Sequence, residues 1–98
     1  VAVAKPTEYL LAQNYPNPFN PSTSISYTLK DNGQVKLAIF NIRGQLIRSL
    51  VDQSQMAGQY SMEWDGRDAN GSVVPTGTYF YSLEINGFKA VRRMTMAK

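Results

Sequence analysis

The feature that most limits what this chain can become is a two-residue beat that arrives in short bursts. From Thr23, Ile25, Tyr27 and Leu29 alternate with Ser24, Ser26 and Thr28. Alternate residues share a face only in an extended strand, so the pattern marks a strand with one face in a core. The beat recurs with Val35, Leu37 and Ile39, then with Tyr60, Met62 and Trp64, then with Tyr79, Tyr81, Leu83 and Ile85. "YLLAQ" (9–13) offers a short first strand and "FKAVRRMTMA" a last one. No stretch sustains a 3.6-residue period. Turn signals fall roughly every ten residues: Asn32-Gly33, "NIRGQ" with Gly44 free for positive φ, "QSQMAGQ", "DGRDANG", and Asn86-Gly87 in a gap short enough for a two-residue hairpin.

Short strands cut by turns predict an all-β fold. The expectation is an antiparallel immunoglobulin-like or fibronectin III-like β-sandwich of about seven strands. Its expected core is Ile25, Tyr27, Leu29, Val35, Leu37, Ile39, Tyr60, Met62, Trp64, Tyr79, Tyr81, Leu83 and Met94. "LIRSLV" (46–51) breaks the rule by pairing its apolar residues. A bulge, burial on both sides or a helical turn each explains it. Tyr79 follows a Pro-Thr-Gly corner, so its hydroxyl is placed to bond back to the backbone and cap that corner. The 98 residues suit one domain. Residues 1–13 read as a linker with a possible first short strand, and 14–98 as the domain.

Composition removes several kinds of chemistry. There is neither cysteine nor histidine, so thiolate nucleophiles, Cys/His zinc sites and the usual neutral-pH general base are excluded. A net charge of +3 is too weak to imply nucleic acid. Four of the ten cations, Lys89, Arg92, Arg93 and Lys98, lie in the last ten residues. No apolar run approaches the ~20 residues of a membrane span, so membrane insertion is not expected. Glu63, Asp65 and Asp68 are the only acidic cluster in sequence, and Glu63 alternates away from Trp64 toward solvent. Paired-carboxylate catalysis is therefore disfavoured, and the expectation is a chain that is not an enzyme and needs no cofactor.

"DGRDANG" has a calcium-like flavour, since Asp68-Ala69-Asn70-Gly71 matches the middle of an EF-hand loop. The register fails elsewhere, with Gly66 and Gly77 at the first and twelfth ligand positions. Asp65, Asp68 and Asn70 remain a weak calcium candidate, and the favoured reading is side chains that hold a turn. Most aromatics sit inward, which favours core packing over a sugar platform. Phe40 and Phe80 lie opposite the inferred core faces and would mark a contact surface if exposed. The terminal strand reads either as an edge made safe by its charges or as a docking strand.

The stretch "NYPNPFNP" carries Pro16, Pro18 and Pro21, each unable to donate a backbone hydrogen bond. The expectation is a stiff seal at the domain entry, with Phe19 plugging one end of the sandwich.

Together, "NYPNPFNPSTSISYTL", "VKLAIFNIRGQLIRSLV" and the closing "GQYSMEWDGRDANGSVVPTGTYFYSLEINGFKAVRRMTMAK" resemble the type A C-terminal sorting domain of proteins exported by the bacterial type IX secretion system. The resemblance runs from about Tyr9 to Lys98. Its framework positions here are Pro16, Pro18, Phe19, Pro21, Trp64, Asp65, Gly66, Asp68, Gly71, Gly77 and Tyr79. The part from Trp64 to Tyr81 also resembles the immunoglobulin-like domain of the flagellar hook-capping protein, which lacks the proline-rich opening. The first resemblance implies a non-catalytic module that steers an attached N-terminal cargo through an outer-membrane translocon and its shuttle to the cell surface of a Gram-negative bacterium. A sortase-like peptidase would remove it, with a cut in or before residues 1–13. Recognition would rest on Gly87, Phe88, Lys89, Val91, Arg93 and Lys98. The competing expectation is a carbohydrate-binding or structural accessory module of a secreted enzyme.

Overall fold

The computed structural model describes residues 7–97, and Lys98 lies outside the described residues. These residues form seven strands: β1 (Leu10–Leu11), β2 (Thr23–Leu29), β3 (Gly33–Asn41), β4 (Leu46–Gln55), β5 (Gly58–Trp64), β6 (Gly77–Ile85) and β7 (Phe88–Met96). They make two antiparallel sheets, ordered β1-β2-β5 and β4-β3-β6-β7. This is the β-sandwich expected from the alternation, in the immunoglobulin-like form that the resemblance implies. Its fourth strand joins the β3-β6-β7 sheet, unlike the constant-type arrangement.

Eleven of the thirteen expected core residues are buried. The exceptions, Tyr60 and Met62, are half-buried against the core. Both lie on β5, an edge strand of its sheet, so one flank stays open. Six further apolar residues are buried: Leu11, Phe19, Val51, Val74, Ile85 and Met96. Ile85 continues the alternation of β6 and Phe19 is the expected plug, while Leu11, Val51, Val74 and Met96 come from edges and ends, where the period is broken or too short to show.

The paired apolar residues of β4 are explained by bulges. Leu37 opposes Val51 while Ala38 opposes Ser49, and Ile39 opposes Arg48 while Phe40 opposes Leu46. Leu50 and Ile47 are the extra residues, and both turn onto the core. Two expected turns differ in kind. Asn32-Gly33 is a crossing between sheets rather than a hairpin, because β2 and β3 lie in different sheets. Gln53–Gln55, expected in a loop, extend β4 by pairing with Gly33–Val35, a long-range partnership that local sequence does not reveal. Asn86-Gly87 is the two-residue hairpin turn, with Ile85 opposite Phe88 and both turn residues at positive φ.

The Trp64 corner ties the proline-rich entry to β6. Trp64 packs on Phe19 and Tyr79, with ring centroids 5.5 and 5.7 Å away, and its Nε1 donates to the Arg67 carbonyl at 2.9 Å. The Tyr79 hydroxyl donates to the Pro75 carbonyl at 2.6 Å, closing the expected tyrosine corner. Among the described residues, no buried side-chain polar atom lacks a hydrogen-bond partner.

Candidate functional site

The edge strand β7 brings together most of the residues singled out for recognition. Its outer edge is half covered by the segment that leads into β2. The Phe19 N–H donates to the Thr95 carbonyl, and the Ala97 N–H donates to the Phe19 carbonyl, each at 3.0 Å. The Thr95 N–H donates to Asn17 Oδ1, and Gln13 Nε2 donates to the Arg93 carbonyl. Arg92 Nε donates to the Leu11 carbonyl. Residues 11–19 therefore form a strap from sheet β1-β2-β5 to β7.

Tyr81 anchors the strap from β6. Its hydroxyl donates to the Ala12 carbonyl at 2.6 Å and accepts from the Asn14 N–H at 2.8 Å. Burial raises the Tyr81 phenol above the ordinary tyrosine value, with the Asn14 hydrogen bond and the Arg92 charge pulling the other way. Asn14 is itself buried, and its side chain donates to the Pro16 carbonyl and Thr23 Oγ1. The prolines at 16, 18 and 21 remain exposed. The stretch is thus an edge seal, as its proline content suggested, and Phe19 is its buried plug.

The rest of the edge is open. Backbone groups alternate in direction along an antiparallel strand. Since those of Arg93 and Thr95 meet the strap, the N–H and C=O groups of Lys89 and Val91 point the same way. Among the described residues, β7 pairs as a strand with β6 alone, so this stretch has no partner strand. Lys89, Val91 and Arg93 also share the outer sheet face, opposite Glu84, Ser82 and Phe80. Lys89 Nζ lies 3.4 Å from Glu84. Phe88 points the other way, packs on the core and lies tilted against Tyr9, with ring centroids 5.2 Å apart. Gly87 shapes the preceding turn at φ 82°.

The "DGRDANG" side chains are engaged in the turn. Asp68 Oδ1 accepts the N–H groups of Asn70 and Ser72, and Asp65 Oδ1 accepts the Arg67 N–H and an Arg48 guanidinium hydrogen bond. Asn70 offers an exposed side chain. Among the described residues, no group of three or more acidic side chains converges. Gly66 is fixed twice over. Its φ is 76°, and a Cβ there would stand 2.8 Å from the Pro21 carbonyl oxygen and 2.9 Å from Met96 Cε. The contributions of Gln13, Asn14, Asn17 and Arg92 were not foreseen; the density of asparagine between the prolines was their one trace in the sequence.

These sheets, this corner and this edge define an immunoglobulin-like β-sandwich domain. The chain belongs to the FlgD Ig-like domain family, whose model matches residues 19–87. No curated protein matches it. Among solved structures it is similar to a segment of dimeric latent PorU from Porphyromonas gingivalis, with TM-score 0.71 and 18% identity, covering 97% of this chain and 10% of that one. It is similar to FlgD from P. aeruginosa, with TM-score 0.58 and 26% identity, over 76% of this chain and 59% of that one. PorZ, a surface component of the type IX secretion system of P. gingivalis, gives TM-score 0.60 and 17% identity over 92% of this chain and 11% of its own. The chain thus spans about a tenth of PorU and PorZ and under two thirds of FlgD. The PorU and PorZ likenesses concern the fold.

Proposed function

We propose that this chain is a non-catalytic sorting module that directs an attached cargo through the type IX secretion translocon to the bacterial surface. One observation carries the reading. The FlgD Ig-like family match spans residues 19–87, whereas the PorU likeness covers 97% of the chain. What lies outside the family match includes most of the strap and all of β7. The same two elements hold the proline-rich opening and the basic end on which the resemblance to sorting domains rests. The half-open β7 edge supports this reading, because an exposed strand edge accepts a partner through backbone hydrogen bonds.

In this reading Lys89, Val91 and Arg93 meet the translocon or its shuttle, and Phe88 and Gly87 hold β7 in place. The peptidase cut falls before Tyr9, because a cut between Tyr9 and Gln13 would strip β1 and the start of the strap from the sandwich. The test fuses residues 1–98 to a periplasmic reporter in a host with the type IX machinery. The reporter is expected at the cell surface. Val91→Pro removes one outward N–H, a change an edge strand tolerates, and should lower surface delivery several-fold without lowering the melting temperature appreciably. Reporter that stays periplasmic, or a folded Val91→Pro fusion delivered as well as the parent, would reject the assignment.

A further inference from the structure

The outer face of the β4-β3-β6-β7 sheet carries a second surface. Cross-strand registers set Leu46, Phe40, Phe80 and Arg93 in one row, and Ser49, Ala38, Ser82 and Val91 in the next. Ile42 follows Phe40 at the hairpin. Ile42, Leu46 and Val91 are 71%, 61% and 54% exposed, so three large apolar side chains crowd one face. Ile42 and Val91 line a hollow of about 310 Å³ with Phe40 and Phe80 among its walls. Exposed apolar clusters of this kind mark contact sites.

The charges decide what the surface fits. Neither apolar row holds a carboxylate, while Arg93 ends the first and Lys89 stands beside Val91. Lys89 is paired with Glu84. Arg93 has no carboxylate partner among the described residues. On this face a second copy offers Arg93 only the carboxylates of Glu84 and Asp52, which already stand across the strands from Lys89 and Lys36. A sugar would stack on the phenyl rings, but its hydroxyls would lose water against Ile42, Leu46 and Val91 without gaining partners.

We propose that this face binds a protein segment that sets apolar side chains beside carboxylates, with Phe40, Phe80 and Ile42 taking the apolar residues and Arg93 a carboxylate. The face adjoins the open edge of β7, so one extended segment can reach both. The proposal stands whether or not the chain is a sorting module.

The probes are a twelve-residue peptide alternating Val and Glu, its Val/Lys twin, and a panel of soluble oligosaccharides, each titrated into the 98-residue chain by NMR. The acidic peptide should shift resonances of Phe40, Ile42, Phe80 and Val91. Arg93→Glu should weaken it at least tenfold, and Ile42→Ser, on an exposed turn where folding is not at risk, severalfold. Added salt should weaken it too. Equal binding of the two peptides, shifts confined elsewhere, insensitivity to both variants, response to oligosaccharides alone, or no binding at millimolar peptide each overturns the proposal.

Discussion

Gly66 shows how one residue position can join distant parts of this chain. Left-handed backbone costs an ordinary residue about 1–2 kcal/mol, and a Cβ would also press on the Pro21 carbonyl and Met96. Gly71 has a similar φ of 83° but open space around it. Gly66→Ala should therefore lose at least about 2 kcal/mol, and Gly71→Ala only the backbone part of that. For a domain of this size, each kcal/mol lowers the melting temperature by roughly 4–8 °C. Thermal unfolding followed by circular dichroism checks the contrast, and equal melting temperatures would refute the crowding argument. The two glycines look alike in sequence, since each sits in "DGRDANG".

At the scale of elements, the strap decides how much of β7 is free. Deleting residues 1–13 removes β1, including buried Leu11, and takes the partners from Arg92, the Arg93 carbonyl and one side of Tyr81. Burying one leucine contributes about 1.5–3 kcal/mol, and each buried polar group left unpaired costs roughly another 1–3 kcal/mol. The truncated chain should show a lower urea midpoint and faster amide exchange at Thr95, whose N–H is held by Asn17 of the strap. An unchanged midpoint would mean that residues 9–13 act only as a linker. Sequence alone places this stretch as a linker with a possible strand. Its part in the sandwich comes from pairing with β2 and from partners on β6 and β7 about 70 to 80 residues away.

For the whole molecule, the buried tyrosines set an alkaline limit. Burial raises the phenols of Tyr81, Tyr27 and Tyr79 above their ordinary value near 10. A raised folded value means that the neutral form stabilises the fold. That stability is fully present below the unfolded value and fades as pH rises through the folded values. Stability from these groups should hold to about pH 10 and fall above it. Tyr81→Phe should blunt the fall while lowering stability at pH 8, because the Asn14 N–H and Ala12 carbonyl lose their shared partner. Urea titrations at pH 8, 10 and 11 test this; a fall of equal steepness in the variant would remove Tyr81 from the account.

By itself the sequence determined β2, β3, β5, β6 and β7, their inward faces, the Asn86-Gly87 hairpin, the tyrosine corner and the stiff proline-rich entry. Each rests on near neighbours: a period of two, a turn residue able to take positive φ, or a proline without a donor. Tertiary structure alone decided which strands share a sheet, where β4 bulges, and which half of β7 is covered. It also decided that Phe40 and Phe80 face each other across strands, both half-buried on the outer face of one sheet. Those features depend on pairings between residues far apart in the chain. A two-residue period tells which face of a strand is buried, and is silent about which strand lies beside it.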